Sequence, residues 1–471
     1  MLFNSLLFVV FFATVFGLHQ LPLSWTTRKV NLLVASYLFY AAWNPPFVLL
    51  LWLSTVVDFL VARRMAKMSN QRRRRALLLV TLGSNLGLLG YFKYGGFVLE
   101  NFTALVGALG IAYTPPALDI VLPVGISFYT FQTLSYTLDV YFRRAKPSPS
   151  FLDFALYVGF FAQLVAGPIV RASTFLPQCK EPKRVTSGEL GLGLALTTFG
   201  LFEKVVLADW LLAPAADAVY KSPSTASSID AWIGTLAFSG QIFFDFGGYS
   251  MCAIGVAMCL GFHLPRNFHS PYAALGFSDF WRRWHISLST WLRDYVYIPL
   301  GGNRHGESSA SANVMFTMLV GGLWHGASWR FVFWGGLHGL YLVVERWLRG
   351  RRRTADGGGG ALARLLGALV TFVLVTITWA FFRAASLADA LTVIRAMVIP
   401  SAGSIVGADT VVTVSVVMVA MLAVQWLLRD TTLEAVLERV PWWARSVVFA
   451  GTILALLLAP GDDRAFIYFQ F

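Results

Sequence analysis

The chain has 471 residues, of which 57% are apolar and only 13% are charged. Soluble globular proteins carry about 25% charged residues, so this composition excludes an ordinary soluble domain. Apolar stretches of roughly 20 residues, the length that crosses a bilayer as a helix, recur along the sequence. We therefore expect an all-α polytopic membrane protein, a single domain over residues 1–471 with about eleven transmembrane helices plus re-entrant or interfacial helices.

The formal net charge of +13 does not predict nucleic-acid binding. The arginines cluster at the ends of apolar stretches, where they set membrane topology and meet anionic lipid head groups. The three cysteines are an odd number without metal-ligand spacing, so we expect neither a disulfide framework nor a metal site.

The first apolar stretch, residues 1–18, lacks a basic start and a cleavage site, so we interpret it as an uncleaved span. Basic residues at 28–29 and 63–75 flank a neutral turn at 44–46. The positive-inside rule places both basic groups in the cytoplasm and the N-terminus outside. Residues 77–94 then span outward, and the short stretch 97–111 is a candidate re-entrant or partly submerged segment.

Three segments in the middle of the chain carry polar groups inside apolar sequence. The span 122–142 is rich in Ser, Thr and Gln, which indicates either hydrogen bonds between helices or a tunnel lining. In 151–170, Gly167 and Pro168 predict a broken helix or a packing kink. The segment 232–260, one tilted span with a break or two short spans, holds Asp245, which is either functional or the partner of an arginine. Between them, the span 190–212 carries Glu203 and Lys204, which we place near a membrane interface.

Five more spans follow, at about 313–326, 331–344, 365–382, 411–428 and 447–459. The basic and glycine-rich residues 346–353 and 357–360 are the best candidate for a cytoplasmic linker. The sequence shows no repeat of fixed period and no soluble domain.

The stretch 279–304 concentrates aromatic rings, four arginines and His285 in the middle of the chain. On one continuous helix over 280–298, His285 shares a narrow sector with Trp281, Leu288 and Leu292. The pattern predicts an amphipathic helix on, or dipping into, the cytoplasmic face. A purely interfacial helix is the alternative, although it leaves a histidine on the buried side unexplained.

His325 lies within an apolar span, between Trp324 and Trp329 and next to Gly322 and Gly326. Burial disfavours a charged imidazole, so we expect a neutral side chain that accepts a proton as a general base. A packing histidine bonded to a carbonyl is the alternative. His338 lies near the opposite face of an ideal helix, and we interpret it as structural.

The sequence contains no Gly-x-Ser-x-Gly elbow, no Walker motif and no His-Glu-x-x-His pair. Two hypotheses remain: histidine-assisted group transfer between two bound substrates, and a glycan or lipid transporter with a histidine proton relay. Transporters often show two-fold repeats in their hydropathy, and their absence here favours the enzyme.

The stretch 279–304 and the segment Gly-Leu-Trp-His-Gly at 322–326 resemble the membrane-bound O-acyltransferases, within them the bacterial alginate O-acetyltransferase membrane subunits. The segments 163–171, 241–249 and 466–471 support the match. The resemblance implies that His325 is the signature histidine of the family and His285 the second active-site position. It also implies that the two meet in a central tunnel across the membrane.

The resemblance further implies a cytoplasmic acetyl-CoA or other short acyl-CoA donor, no bound cofactor, and a polysaccharide acceptor, either alginate-like or another envelope glycan such as peptidoglycan. An exported SGNH-type acetyltransferase is the expected protein partner, and the bacterial inner membrane the expected location. Nine residues are expected to help bind donor or substrate: Trp281, Arg282, Arg283, Ser289, Arg293, Asn303, Trp324, Gln163 and Asp245.

Overall fold

The computed structural model describes residues 1, 3–115, 120–352, 360–401, 403–431, 435–436, 439–460, 464 and 466–467. The described part is built from helices and connecting loops, without strands. Residues 353 and 357–359 of the predicted linker and residues 468–471 of the predicted C-terminal motif lie outside it. The prediction of an all-α membrane protein is confirmed.

Residues Met1–Leu194 and Ala253–Pro265 form one compact unit, and Ala195–Cys252 with Arg266–Phe471 form a second. The helices are α1 Leu6–Gln20, α2 Trp25–Ala41, α3 Phe47–Ala66, α4 Gln71–Leu89, α5 Gly95–Ala108, α6 Ile126–Tyr141, α7 Phe151–Gly159, α8 Phe161–Leu164, α9 Ala172–Phe175, α10 Ser187–Phe202, α11 Ala213–Lys221, α12 Ser228–Cys259, α13 Phe277–Arg283, α14 Ile286–Leu292, α15 Glu307–His325, α16 Trp329–Arg352, α17 Ala361–Arg383, α18 Leu387–Val398, α19 Ala408–Leu427 and α20 Trp442–Leu458.

Five helical runs among the described residues are long and apolar enough to cross a bilayer. They are Gln71–Ala108, Ser187–Lys221, Ser228–Cys259, Ala361–Arg383 and Ala408–Leu427. The count of eleven crossings, the single domain over 1–471 and the central tunnel stay predictions.

Two predicted boundaries differ from the structure. Helices α4 and α5 continue into one another through a π-helical turn at Gly90–Tyr94, so residues 97–111 do not form a separate re-entrant element. The segment around Asp245 is one unbroken helix of 32 residues, so both the predicted break within one span and the alternative of two short spans are wrong. Neither stretch contains proline, so the backbone hydrogen bonds continue where the hydropathy pattern suggested an interruption.

The first unit confirms the predicted break near Gly167 and Pro168. Helix α7 ends at Gly159, one short turn follows at Phe161–Leu164, and residues 165–171 are not helical. The polar residues of α6 serve in part as cross-links between helices: Thr133 donates to Asn85 Oδ1 (3.3 Å), and Asn85 Nδ2 donates to Asp58 Oδ2 (2.9 Å). This favours the interhelical interpretation of α6 at Thr133.

Arg74 joins three helices of the first unit at one end. Its side chain is buried, and the guanidinium donates to the carbonyl oxygens of Met65 (2.8 Å), Val140 (3.2 Å) and Tyr141 (2.6 Å). These carbonyls belong to the last turns of α3 and α6. Two of them also accept backbone N–H groups just beyond the helix ends, Met65 from Met68 and Val140 from Arg143 (3.2 Å each).

We expect Arg74→Met to lower the free energy of unfolding by on the order of 3 kcal/mol, because several buried acceptors lose a charged donor. Arg73→Met removes the same charge from an exposed neighbour and should change stability by about 0.5 kcal/mol or less. Thermal unfolding midpoints of both variants in one detergent test this. Equal unfolding midpoints of Arg74→Met and Arg73→Met would show that Arg74 affects stability only through its charge, and not through its hydrogen bonds.

Candidate active site

His285 lies at a sharp break between α13 and α14. Its backbone is left-handed, with φ 42° and ψ 55°, and Trp284 before it is extended. The predicted continuous helix over 280–298 is therefore wrong, because helical hydrogen bonding cannot pass through a residue in this conformation. Left-handed residues other than glycine are strained by about 1–3 kcal/mol and persist only where surrounding structure enforces them.

The loop before α13 holds the break in place. Ile286 N–H donates to the carbonyl oxygen of Asn267 (2.9 Å), and Ser287 Oγ donates to Asn267 Oδ1 (2.7 Å). Asn267 is buried, and its Nδ2 donates to Ser250 Oγ on α12 (3.2 Å). The backbone on the C-terminal side of His285 is thus fixed to α12 through a single asparagine.

His325 is the last residue of α15, which forms a tight hairpin with α16. A Cβ atom at Gly322 would lie 2.2 Å from the carbonyl oxygen of Phe331 and 3.1 Å from the Cα of Gly335. One at Gly326 would lie 2.1 Å from the ring of Phe331. The glycines beside His325 therefore permit close approach of the two helices.

The structure brings the two predicted histidines together. Their ring centroids are 6.3 Å apart, and Trp324 contacts both, at 5.8 Å from His285 and 5.1 Å from His325. Phe246 packs edge-to-face on His285 at 4.7 Å, and Trp334 on His325 at 5.1 Å. Both imidazoles are buried, at 0% and 3% exposure. The pair therefore lies in a low-dielectric, aromatic environment, where electrostatic interactions are strong.

Four of the other predicted site residues lie on or beside this pair. Trp324 packs against both imidazoles, and Trp281 packs at 5.8 Å from Trp334. Ser289 Oγ donates to the carbonyl oxygen of Trp284 (3.1 Å) and so closes the turn after the break. Arg283, the last residue of α13, donates to Asp279 (2.9 Å) and to two backbone carbonyls.

Asp279 shows why the Arg283 guanidinium is engaged in the fold. Burial opposes ionisation of this carboxyl, but the Leu275 N–H and the guanidinium groups of Arg283 and Arg429 outweigh it and lower its pKa. The charged network ties α13 to Arg429, which follows α19.

The remaining predicted residues lie elsewhere. Arg282, Arg293 and Asn303 are exposed, and Arg293 pairs with Asp294 (2.8 Å). Gln163 belongs to the first unit, where its Nε2 donates to the carbonyl oxygen of Tyr157 (2.6 Å). Asp245 is buried and pairs with Lys204, so its cationic partner is a lysine and not an arginine.

Sequence reasoning missed Asn267 and Phe246, which hold His285: Phe246 lies in the segment 241–249 that supports the resemblance, but nothing in the sequence pairs either residue with His285. His338, which we interpreted as structural, is hydrogen bonded through Nε2 to Thr378 Oγ1 (3.0 Å). Its ring lies 4.6 Å from that of Trp334, which also packs on His325. In the part of the chain that the structure describes, no three potential metal ligands cluster.

We expect His285→Gly to reach the native fold, because glycine adopts positive φ without steric cost, to lose some stability with the buried ring, and to lose transfer activity about 100-fold or more. His285→Ala keeps the strained backbone and should unfold at a lower temperature than His285→Gly. Unfolding midpoints and transfer rates of the two variants test both points. Wild-type rates in His285→Gly would exclude a chemical role for this imidazole.

Comparison with known proteins agrees with the resemblance. Residues 142–386 match the model of MBOAT, the membrane-bound O-acyltransferase family. The chain is 38% identical over 429 residues to a peptidoglycan O-acetyltransferase of Helicobacter pylori, covering 84% of this chain and 80% of that protein. It is 40% identical over 406 residues to a probable alginate O-acetylase of Pseudomonas aeruginosa, with 84% and 75% covered. A teichoic acid D-alanyltransferase of Bacillus subtilis is 26% identical over 306 residues, with 58% and 76% covered. The chain therefore belongs to the membrane-bound O-acyltransferase family and is an acyltransferase.

Proposed function

We propose that this acyltransferase moves an acetyl or other short acyl group from a cytoplasmic acyl-CoA donor across the bacterial inner membrane, for O-acetylation of an envelope polysaccharide. The observation that carries the proposal is the pair of buried imidazoles, His285 and His325, at 6.3 Å between centroids. Family membership in the acyltransferases leaves no support for the transporter alternative.

The proposed chemistry needs one general base. His325 takes the proton of an acceptor hydroxyl while that oxygen attacks the carbonyl carbon of the thioester. The C–S bond breaks, the acyl group stays on the oxygen, and the thiolate of the donor leaves with a proton returned by the imidazolium. His285, on a backbone that cannot relax without breaking its contacts to Asn267, holds the reacting groups beside His325.

The phosphate groups of an acyl-CoA donor need cationic side chains to bind them, and these must lie outside the buried pair of His285 and His325. Arg282 is exposed at the end of α13, three residues before His285. Arg293 is exposed as well but pairs with Asp294, and Arg283 is engaged with Asp279. We therefore assign phosphate binding to Arg282 first. The arginine pattern of the first 75 residues supports an external N-terminus.

The acceptor is proposed from the relatives. One relative acts on peptidoglycan by its name, and others are named alginate O-acetylases at similar identity. An alginate-like exopolysaccharide is our first choice and peptidoglycan the second, reached directly or through an exported SGNH-type partner.

Sealed, inverted membrane vesicles from expressing cells test the donor side. Radiolabelled acetyl-CoA, which does not cross membranes, is added outside, where the cytoplasmic face points. We expect label to accumulate on lumenal material, and less of it in an Arg282→Gln variant at low donor concentration. Label transfer only when acetyl-CoA is loaded into the lumen would overturn the cytoplasmic donor.

Cells that lack their own enzyme test the acceptor. The chain is expressed in P. aeruginosa without its alginate O-acetylase and in H. pylori without its peptidoglycan O-acetyltransferase, and acetyl content is measured on each polymer. Restored acetylation of alginate alone supports an alginate-like acceptor. Restored acetylation of peptidoglycan alone supports peptidoglycan as the acceptor. Restoration of neither, with folded protein in both membranes, contradicts the proposed acceptors.

A further inference from the structure

The C-terminal segment, by which we mean Arg464, Phe466 and Ile467, is fixed to the second unit at two polar points. Arg464 Nη1 donates to Asp217 Oδ2 (2.7 Å), and the other oxygen of Asp217 pairs with Arg383, the last residue of α17. Asp217 thus joins this segment to α11 and α17 through a carboxylate shared by two guanidinium groups.

The second point is Asp245. One carboxylate oxygen pairs with Lys204, and the other accepts the backbone N–H of Ile467 (2.9 Å). Lys204 also pairs with Asp209 (2.9 Å), and all three charged side chains are buried. Replacing a buried ion pair by apolar residues is often neutral or stabilising, so fold stability alone does not explain this cluster. What the cluster adds is a fixed position for the backbone at Ile467.

Between the two points, Phe466 is inserted into the aromatic packing of α12. Its side chain is 1% exposed, and its ring lies 4.8 Å from that of Tyr249 and 5.7 Å from that of Phe246. Phe246 in turn packs edge-to-face on His285 at 4.7 Å, and it follows Asp245 directly in the sequence. The anchored segment therefore contacts the ring of Phe246, which in turn contacts the predicted active-site residue His285.

We propose that Asp245 and Phe466 are positioning residues for His285: the carboxylate holds the C-terminal segment, Phe466 fixes the ring of Phe246, and Phe246 fixes the imidazole. The proposal rests on the role given to His285 in the proposed function. It goes beyond that function, because it makes the C-terminal segment part of the structure that sets the geometry of catalysis. The strained backbone of His285 needs such external support, since the left-handed conformation is not its own preference.

The test compares Phe466→Ala with Phe175→Ala, which removes an equally buried ring within the first unit. Acyl transfer is measured with labelled acetyl-CoA, and the reactivity of His285 toward diethyl pyrocarbonate is followed by mass spectrometry. We expect Phe466→Ala to lower kcat at least tenfold with an unchanged KM for the donor, and to raise modification of His285. Phe175→Ala, at a similar loss of thermal midpoint, should change neither.

Asp245→Asn keeps an acceptor for the Ile467 amide but loses the ion pair with Lys204. Its kcat and its level of His285 modification should lie between those of the wild type and Phe466→Ala. Wild-type kcat in Phe466→Ala, or an equal loss of kcat in Phe175→Ala, overturns the positioning role. The variant His285→Gly distinguishes a failure of this inference from a failure of the proposed function. If it is inactive while Phe466→Ala is fully active, this inference alone fails; if it transfers like the wild type, the proposed role of His285 fails and this inference with it.

Discussion

Replacing His325 by glutamine is expected to lower acyl transfer by a factor of about 10² to 10⁴, the range that general acid–base catalysis contributes. Glutamine is close to histidine in size and keeps a hydrogen-bonding group, but it takes up no proton at neutral pH. The side chain of His325 is enclosed by Trp324, Trp334 and Phe382. The folded structure should therefore tolerate the exchange, and the loss should appear in kcat.

The same position offers a second readout. His325→Ala leaves a cavity among these rings, and added imidazole should restore part of the lost activity by occupying it. His263→Gln is the control, because His263 is an exposed histidine of the first unit. It should transfer at the wild-type rate and show no response to imidazole. Full activity of His325→Gln, at matched amounts of folded protein, would show that His325 is not the base.

The sequence predicted the site best where the neighbouring residues all belong to one short segment of the chain. His325, the two tryptophans and the adjacent glycines all lie within residues 321–329, so their neighbourhood follows from one apolar helix end. The non-helical backbone at Gly167 and Pro168 was predictable for the same reason, since glycine and proline act on their own backbone, but the earlier end of α7 at Gly159 was not. The missed helix α18 is only 12 residues long and lies between two predicted spans, which is too short for a search by bilayer length.

What the sequence left undetermined depends on contacts between distant residues. His285 was placed on the correct buried side, but for a reason that the structure contradicts, since the helix used to assign that side ends at Arg283. The break is enforced by Asn267, and the partner of Asp245 is Lys204, 41 residues earlier in the chain. A buried acidic residue in the sequence indicates that a partner exists. The sequence does not identify that partner, because any cation of suitable reach can pair with the carboxylate.

Replacing Gly335 by alanine is expected to disrupt the hairpin that carries His325. A Cβ atom there would lie 2.3 Å from the carbonyl oxygen of Met318 and 3.1 Å from the Cα of Gly322, backbone atoms that move only if α16 shifts away from α15. Such overpacking costs about 1–3 kcal/mol. Trp334, the neighbour of Gly335, packs on His325, so the shift should also displace the imidazole and lower transfer at least tenfold.

Gly336 provides the matched control one residue away. Its Cβ atom would meet only the terminal Cδ2 of Leu319, at an ordinary 3.5 Å. Gly336→Ala should therefore keep the thermal midpoint or raise it slightly, since alanine favours the helix over glycine by about 1 kcal/mol. The two variants have identical composition, so propensity and hydrophobicity cancel in their difference. A large gap in midpoint and in transfer rate would establish that backbone contact between α15 and α16, and not the side chains alone, fixes His325. If both variants behave alike, the hairpin has room to adjust, and the glycines at 322 and 335 must be explained by something other than close packing.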